Sequence, residues 1–366
     1  MRPWQSFMSI DGLLARRQYS LTHEQKQAML AERLRALTLL HFERCAPYHR
    51  ILDGLGVDPA ATLALDALPM LPVGLFKSHT LRSIPDERVF KVVTSSGTTG
   101  AEVSRVYLDA AAAQLQTRAL AGIMTHWLGP ARLPMIIVDA RSTIANRHTF
   151  SARGAGIIGM TMFGRDHFYA LNDDMRLDLD GLRVWLGRHA GAPVLLFGFT
   201  FMVWEYLLKA LQPGDLDLSA GILLHTGGWK KLAEHAVDNQ AYKAELARVT
   251  GLRRVHNFYG MAEQIGTVFV ECEQGYLHAP NAADILVRDP ATWRVLESGK
   301  TGVAQMLSGL PESYPGHSIL TEDLARVEAI DCCACGRRGK AVSILGRVPR
   351  AELRGCSDTH AFGSAA

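Results

Sequence analysis

The chain has 366 residues, enough for one large or two medium domains, and its 48% apolar and 20% charged content is that of a globular protein with a sizeable core. Its 39 basic and 36 acidic side chains are spread along the chain with no Lys/Arg block, which argues against a nucleic-acid partner. Residues 1–9 lack the basic cluster and apolar segment of a secretory signal, so a reducing, cytoplasmic setting is expected.

Residues 21–44 carry apolar side chains at helical spacing (Met29, Leu30, Leu34, Leu37, Leu40 and Phe42). Thr22 and Gln25 form a capping box ahead of them, and Pro47 marks the end. Residues 54–86 are rich in Pro and Gly and read as irregular, with the apolar run 68–76 packed on the body. Strand and helix signals then alternate: strands at 89–93 and 103–108, a helix at 110–128 and a strand at 135–138. The most apolar stretch, 192–208, contains Glu205 and is broken at Gly198. It predicts a buried strand, 194–197, and a core helix, 201–211, instead of a membrane span. A strand at 222–224, a long helix at 232–249 and a strand at 255–258 follow, then a β-rich region with strands at 268–270, 285–287 and 302–307. This alternation predicts an α/β architecture with sheets covered by helices.

Two glycine patterns compete for a nucleotide. Gly154-Ala-Gly156-Ile-Ile-Gly159 spells the dinucleotide fingerprint, but no apolar strand runs into it, so a close backbone approach in a core turn is the better reading. Thr94-Ser-Ser-Gly-Thr-Thr-Gly100 directly follows a predicted strand and offers two glycines and the hydroxyls of Ser95, Ser96, Thr98 and Thr99 to phosphate oxygens. It is not a Walker loop, since no Lys-Ser/Thr follows and the next segment reads as a strand. A hydrophilic hairpin without a ligand is the alternative.

That loop resembles the phosphate-binding signature of the adenylate-forming superfamily of acyl-CoA synthetases, carrier-loading adenylation domains and luciferases. Four further segments match in the superfamily's order. His225-Thr-Gly-Gly-Trp229 resembles its adenine-side segment, and Asn257-Phe-Tyr-Gly-Met-Ala-Glu263 its aromatic-Gly-x-x-Glu motif. Leu320-Thr-Glu-Asp323 resembles its ribose-binding aspartate motif, and Gly346-Arg347 its hinge. The resemblance implies ATP and Mg2+ as cofactors. Ser95, Ser96, Gly97, Thr98, Thr99 and Gly100 would hold phosphates, and Gly227, Gly228, Trp229, Asn257, Tyr259, Gly260, Asp323 and Arg347 would complete the ATP site. Tyr259 would stack on adenine, Asp323 accept from the ribose hydroxyls, and Glu263 serve the magnesium that offsets charge when a carboxylate attacks the α-phosphate. Without the resemblance, Glu263 also reads as a helix N-terminal carboxylate and Tyr259 as a core aromatic.

Two departures narrow the family. The Pro-Lys pair that normally follows the phosphate loop is replaced by Ala101-Glu-Val-Ser-Arg105, where Arg105 could supply the charge. The sequence also runs only about twenty residues past Gly346-Arg347, so the usual C-terminal domain, with its catalytic lysine, is expected to be largely absent. The expected division is an adenylate-forming domain over 1–345, built of two α/β subdomains and a smaller β-rich one, and a hinge and tail over 346–366. In this compact form, with Ser104-Arg-Val-Tyr-Leu-Asp109, Gly227-Gly-Trp-Lys230 and Ala351-Glu-Leu-Arg-Gly-Cys356, the chain resembles the acyl-protein synthetase component of the bacterial luminescence fatty-acid reductase. In that family a cysteine near the C-terminus takes the acyl group from the adenylate, which would make Cys356 a catalytic nucleophile here. A free cysteine in a mobile tail is the alternative.

Five of the six cysteines lie in the last hundred residues. Cys272 with His278, and Cys333 with Cys335, offer four ligands to a closed tetrahedral zinc and leave Cys332 spare. Phenylacetate-ligase-like relatives carry a similar Cys-x-Cys-Gly-Arg segment, and reduced cysteines on a β-hairpin are the competing reading. The expected activity is ATP-dependent activation of a fatty or aromatic carboxylic acid to acyl-AMP, then transfer to a thiol of the chain itself or of a partner such as a reductase subunit. The runner-up is an acyl-CoA or aryl-CoA ligase lacking its C-terminal domain. A non-catalytic subunit that binds a reductase is the third reading. No nucleic-acid or membrane partner is expected, and a homo-oligomer is left open.

Overall fold

The computed structural model describes residues 10–61, 64–95, 103–144, 152–228 and 237–348. Helix α1 (Ile10–Leu14) precedes α2 (His23–Arg44), whose capping box forms as the sequence predicts: the Thr22 hydroxyl accepts from the Gln25 amide, and the Gln25 side chain accepts from the Thr22 amide at 3.1 Å. Pro47 marks a new helix, α3 (Ala46–Gly54), and stands in its first turn, where a missing N–H costs nothing. The apolar run 68–76 becomes β1 (Leu71–Pro72) and α4 (Leu75–Ser78), which bury Leu71 and Phe76. Strands β2 (Lys91–Thr94) and β3 (Arg105–Leu108) pair antiparallel, so the Ser/Thr/Gly loop joins two strands as expected. Helix α5 (Ala110–Leu128) has its predicted bounds, capped by Asp109, whose carboxylate accepts from the Ala112 amide at 2.9 Å.

From here the chain lays down a parallel sheet. Its strands are β4 (Leu133–Ala140), β5 (Gly164–Leu171), β6 (Val194–Phe199), β7 (Gly221–Thr226) and β8 (Arg254–Gly260), in the spatial order β5-β4-β6-β7-β8. The intervening helices are α6 (Ala152–Thr161), α7 (Leu179–Arg188), α8 (Thr200–Met202) and α9 (Asn239–Thr250). One face is covered by α7, α9 and the segment after β6, through Leu182, Trp185, Val203, Leu207 and Leu246. The other is covered by α5 and α6, through Ile123, Met124, Trp127, Ile157 and Met160. Both-face burial explains why β4, β6 and β7 read as unbroken apolar runs. The same sheet continues antiparallel through β9 (Val268–Glu271), β10 (Leu277–His278), β14 (Lys340–Arg347), β13 (Ser318–Ile330), β12 (Thr301–Ser308) and β11 (Ala283–Arg288), with β1 alongside β13. The mixed α/β architecture is therefore one large sheet, and β8 sits at its parallel-to-antiparallel junction.

Four local readings are corrected. Gly154 to Gly159 lies in α6, not in a turn, although the close approach is real: a Cβ on Gly156 would meet the Phe199 ring at 3.2 Å. The helix expected over 232–249 is observed as α9, capped by Asp238, and residues 229–236 lie outside the described set. The 201–211 helix is irregular, passing from α8 into a π-turn (Val203–Leu207) and a 3-10 turn (Leu208–Ala210). Strands β5, β10, β13 and β14 and helix α7 were not expected. Among the described residues, no helix is long and apolar enough to cross a membrane.

Candidate functional site

In an open parallel sheet, ligands gather beyond the carboxyl ends of the strands, where the predicted residues of β7 and β8 lie. At the end of β7, Gly227 adopts φ 79°, and a Cβ there would meet the Phe199 ring at 3.2 Å, so both backbone and space call for glycine. The Thr200 hydroxyl donates to the Gly227 carbonyl at 2.6 Å and pins the turn, and Gly228 beside it is open. Trp229 lies outside the described residues. The Thr226 hydroxyl donates to the Phe258 carbonyl at 2.8 Å, tying the ends of β7 and β8.

On β8, Asn257 and Tyr259 share a face. The Asn257 amide donates to the Glu271 carboxylate at 2.9 Å, and that carboxylate also accepts from Lys243 at 2.9 Å and from Asn239. The Tyr259 hydroxyl donates to Asp323 Oδ2 at 2.7 Å, and Asp323 stands in register with Arg347 on β14. Burial first, then the Asp323 charge, push the Tyr259 hydroxyl above the usual phenol value, so it stays a donor. Among the described residues, Tyr259 is the one side chain bonded to the Asp323 carboxylate, which leaves an oxygen to accept from a ligand. Gly260 ends β8, and a Cβ on it would meet Val268 at 3.0 Å. The next turn, Ala262–Gln264, carries Glu263, which is 5% exposed. Gln264 anchors that turn by donating to the Met306 and Gly316 carbonyls at 3.0 and 2.9 Å.

Ser95 closes the mouth of the β2–β3 hairpin: its amide donates to the Ser104 carbonyl at 3.1 Å and its hydroxyl oxygen accepts from the Ser104 amide at 3.0 Å. The Ser95 O–H proton is left for another acceptor. Ser96, Gly97, Thr98, Thr99, Gly100 and Cys356 lie outside the described residues. Arg105 is exposed at the start of β3.

The predicted sulfur cluster assembles at the opposite end of β8's neighbours. Ligand atoms of Cys272, His278, Cys333 and Cys335 all lie within 4.8 Å of one another, while Cys332 is exposed and apart. Cys272 Sγ is 3.9 Å from Cys333 Sγ, and Cys335 Sγ is 3.3 Å from His278 Nε2. A tetrahedral zinc with bonds of about 2.3 Å to sulfur has S···S edges of about 3.8 Å, so the donor set fits that ion and leaves no open position. Burial pushes the Cys272 thiol up to about 12 and the His278 imidazole down to about 4. Burial opposes ionisation at Cys335 too, but the hydrogen bonds from Arg337, Cys333 and Cys272 together outweigh it and its thiol is lowered. Arg337 is a neighbour whose role the sequence did not reveal. Its guanidinium lies 4.0 Å from the Trp127 ring centroid and donates to Glu273 at 2.6 and 3.2 Å. Its place just after the Cys-x-Cys-Gly run is the signal that could have found it.

The family described as acyl-protein synthetase, LuxE, matches residues 5–362 of the chain. The long-chain-fatty-acid–luciferin-component ligase of Vibrio harveyi is 22% identical over 350 residues, spanning 91% of this chain and 88% of its own. The phenylacetate-coenzyme A ligase of Thermus thermophilus is 26% identical over 350 residues, spanning 90% of this chain and 72% of its own. The crystal structure of an open conformation of 2-hydroxyisobutyryl-CoA ligase with 2-HIB-AMP and CoA superposes with a TM-score of 0.67 at 18% identity, covering 89% of this chain and 71% of that one. A likeness at that identity speaks for the fold.

Proposed function

Since the chain belongs to the acyl-protein synthetase family, we propose that it joins a carboxylic acid to ATP as acyl-AMP, releasing pyrophosphate, and then passes the acyl group to a thiol. The observation that carries this reading is the convergence of Tyr259, Asp323 and Arg347 from three strands, with Glu263 on the turn that follows β8. In the first step an acid oxygen bonds to the α-phosphorus as the bond from that phosphorus to the β-phosphate bridging oxygen breaks. The Tyr259 ring offers a stacking face to adenine, and the free oxygen of Asp323 accepts from the ribose. Ser95 and the loop residues 96–100 that follow it would hold the phosphates, and Arg347 would take part in binding ATP. Glu263 would hold a magnesium ion, whose charge would offset that of the departing pyrophosphate. The aromatic residues Phe197, Phe199 and Phe258, grouped at the carboxyl ends of β6 and β8, suit a fatty or aromatic acid. Cys272, His278, Cys333 and Cys335 would hold a structural zinc, and the setting proposed is cytoplasmic.

In the second step a thiolate attacks the acyl carbon, the bond to the AMP oxygen breaks, and AMP leaves. The acceptor is Cys356, from which the acyl group passes to a partner protein such as a reductase subunit. The match to a phenylacetate-coenzyme A ligase favours a second reading, with coenzyme A as acceptor. Pyrophosphate exchange across a panel of fatty and aromatic acids tests the first step. Glu263→Gln should slow it about 100-fold or more, the scale of losing one electrostatic stabiliser. Exchange at the wild-type rate in that variant would remove Glu263 from the metal site, and no exchange with any acid would favour a non-catalytic subunit. Cys356→Ser should still form acyl-AMP but retain no hydroxylamine-labile label on the protein. Full-rate transfer to coenzyme A by that variant would instead establish the second reading.

A further inference from the structure

The four ligands of the sulfur site come from two separate turns. Cys272 follows β9 and His278 lies on β10, and the turn between them is closed by the Cys272 amide donating to the Tyr276 carbonyl at 2.8 Å. Cys333 and Cys335 lie in the loop between β13 and β14, closed at its base by the Asp331 amide on the Gly339 carbonyl at 3.0 Å. Strands β10 and β14 pair only at Leu277 with Val342 and His278 with Ala341, so the ladder stops short of both turns. Among the described residues, no backbone hydrogen bond joins residues 272–276 to residues 331–339. Zinc binds cysteine as thiolate, and thiolates drawn together repel one another, so another group must hold the turns at that spacing before the ion arrives.

Arg337 is the side chain that crosses the gap. Gly336, at φ 80°, turns the chain between Cys335 and Arg337. The Arg337 guanidinium donates to both oxygens of Glu273, at 2.6 and 3.2 Å, and Glu273 directly follows Cys272. The same guanidinium lies 4.0 Å from the Trp127 ring centroid, and its Nε donates to His126 Nε2 at 3.3 Å. Both aromatic residues are in the last turn of α5, where Trp127 is buried and donates its indole N–H to the Tyr19 hydroxyl at 3.0 Å. One planar group thus ties the Cys272 turn and the Cys335 loop to a third, firmly packed element. Glu273 itself is exposed, and an ion pair with so exposed a partner adds little to overall stability. Its effect is on position.

We infer that Arg337 is a positioning residue for the zinc site: by joining Glu273 to Trp127 and His126, it holds the two ligand-bearing turns at coordinating distance. The inference rests on the reading of Cys272, His278, Cys333 and Cys335 as zinc ligands. Groups outside the ligand set that orient it typically change metal affinity about 10- to 100-fold when removed. Lysine cannot take the place of Arg337, because an ammonium has no planar fork to meet both carboxylate oxygens while lying on the indole.

The test is zinc transfer from the purified protein to the chromophoric chelator pyridylazoresorcinol, at a temperature where circular dichroism shows every variant folded. It needs no knowledge of the acid. Arg337→Gln and Arg337→Lys should each weaken zinc retention about tenfold. Glu273→Gln should weaken it by a smaller factor, and should add nothing further in an Arg337→Gln background. A lower melting temperature with wild-type zinc retention in the Arg337 variants would make Arg337 a stabiliser of the fold alone and overturn the inference. Zinc loss in Cys333→Ser with full retention in the Arg337 variants would overturn the role of Arg337 and leave the site in place. Additive losses in the double variant would also overturn it, because the two side chains would then act independently. Should Arg337→Gln fail to fold, the exposed Glu273 carries the test, and wild-type retention in Glu273→Gln overturns the inference. Wild-type protein without zinc would overturn the reading of the site and the inference with it.

Discussion

Lowering the pH from about 7.5 to about 5 should remove on the order of 4 kcal/mol of folding stability, through two histidines buried in the neutral form. His225 and His317 are both fully buried and held near 3. Burial is the larger cause for each, with Lys243 and His256 adding to it at His225 and Arg33 at His317. In the unfolded chain a histidine titrates near 6.5. Between roughly 3 and 6.5 the unfolded state therefore binds more protons than the folded one, so stability falls as the pH drops through 6.5. At about pH 5 each histidine accounts for a loss of about 2 kcal/mol, large against the 5–15 kcal/mol typical of folded proteins. His41, also lowered and stacked on His317 at 5.1 Å, acts in the same direction. Asp284 does not obscure this window. Its carboxyl is held below its ordinary value, because Lys26 and Lys340 together outweigh the opposing effect of burial, and it loses its contribution only at more acid pH. Urea titrations followed by tryptophan fluorescence at the two pH values measure the difference, and His317→Gln should reduce it by about 2 kcal/mol. Equal stability at both pH values, within about 1 kcal/mol, would refute the neutral burial of these rings.

Purified protein prepared without chelator should carry about one zinc per chain, and Cys333→Ser should lower both zinc content and thermal stability while leaving adenylation largely intact. Zinc-free fresh protein by metal analysis would count against the site. Asp284 is fully buried, with Lys340 Nζ at 3.5 Å and Lys26 Nζ at 3.9 Å. Asp284→Ala should therefore cost about 3–5 kcal/mol in urea unfolding by leaving two buried ammonium groups uncompensated, and a loss below about 1 kcal/mol would show that water reaches them.

The elements that could be read in advance are those whose signal is local. The Thr22–Gln25 box and the Asp109 cap each lie within one turn of the groups they satisfy, so the sequence contains both halves of the interaction. Strands β4, β6 and β7 carry unbroken apolar runs at 133–138, 194–197 and 222–224 because both their faces are covered. Strand β5 is an edge strand with a polar middle, and β13 mixes Thr, Glu, Asp and Arg into a long ladder, so neither shows a clear period. The α6 segment contains three glycines and reads as a loop by helix propensity, yet it folds as a helix against Phe199 because tertiary packing outweighs a propensity cost of about 1 kcal/mol per glycine.

For the site, sequence alone determined the residue types, their order, and four ligands that could surround one metal, because motif spacing and donor chemistry are properties of the chain. Only the tertiary structure decided what those residues do to one another. Tyr259 meets Asp323 across 64 positions of sequence, and Asp323 faces Arg347 only through the register of β13 and β14. Gln264 reaches the Gly316 carbonyl only because the loop between β12 and β13 folds back over the turn after β8. Hydrogen bonds and charge interactions act over a few ångströms, and distances on that scale between remote residues exist only once the sheet has set its strand order.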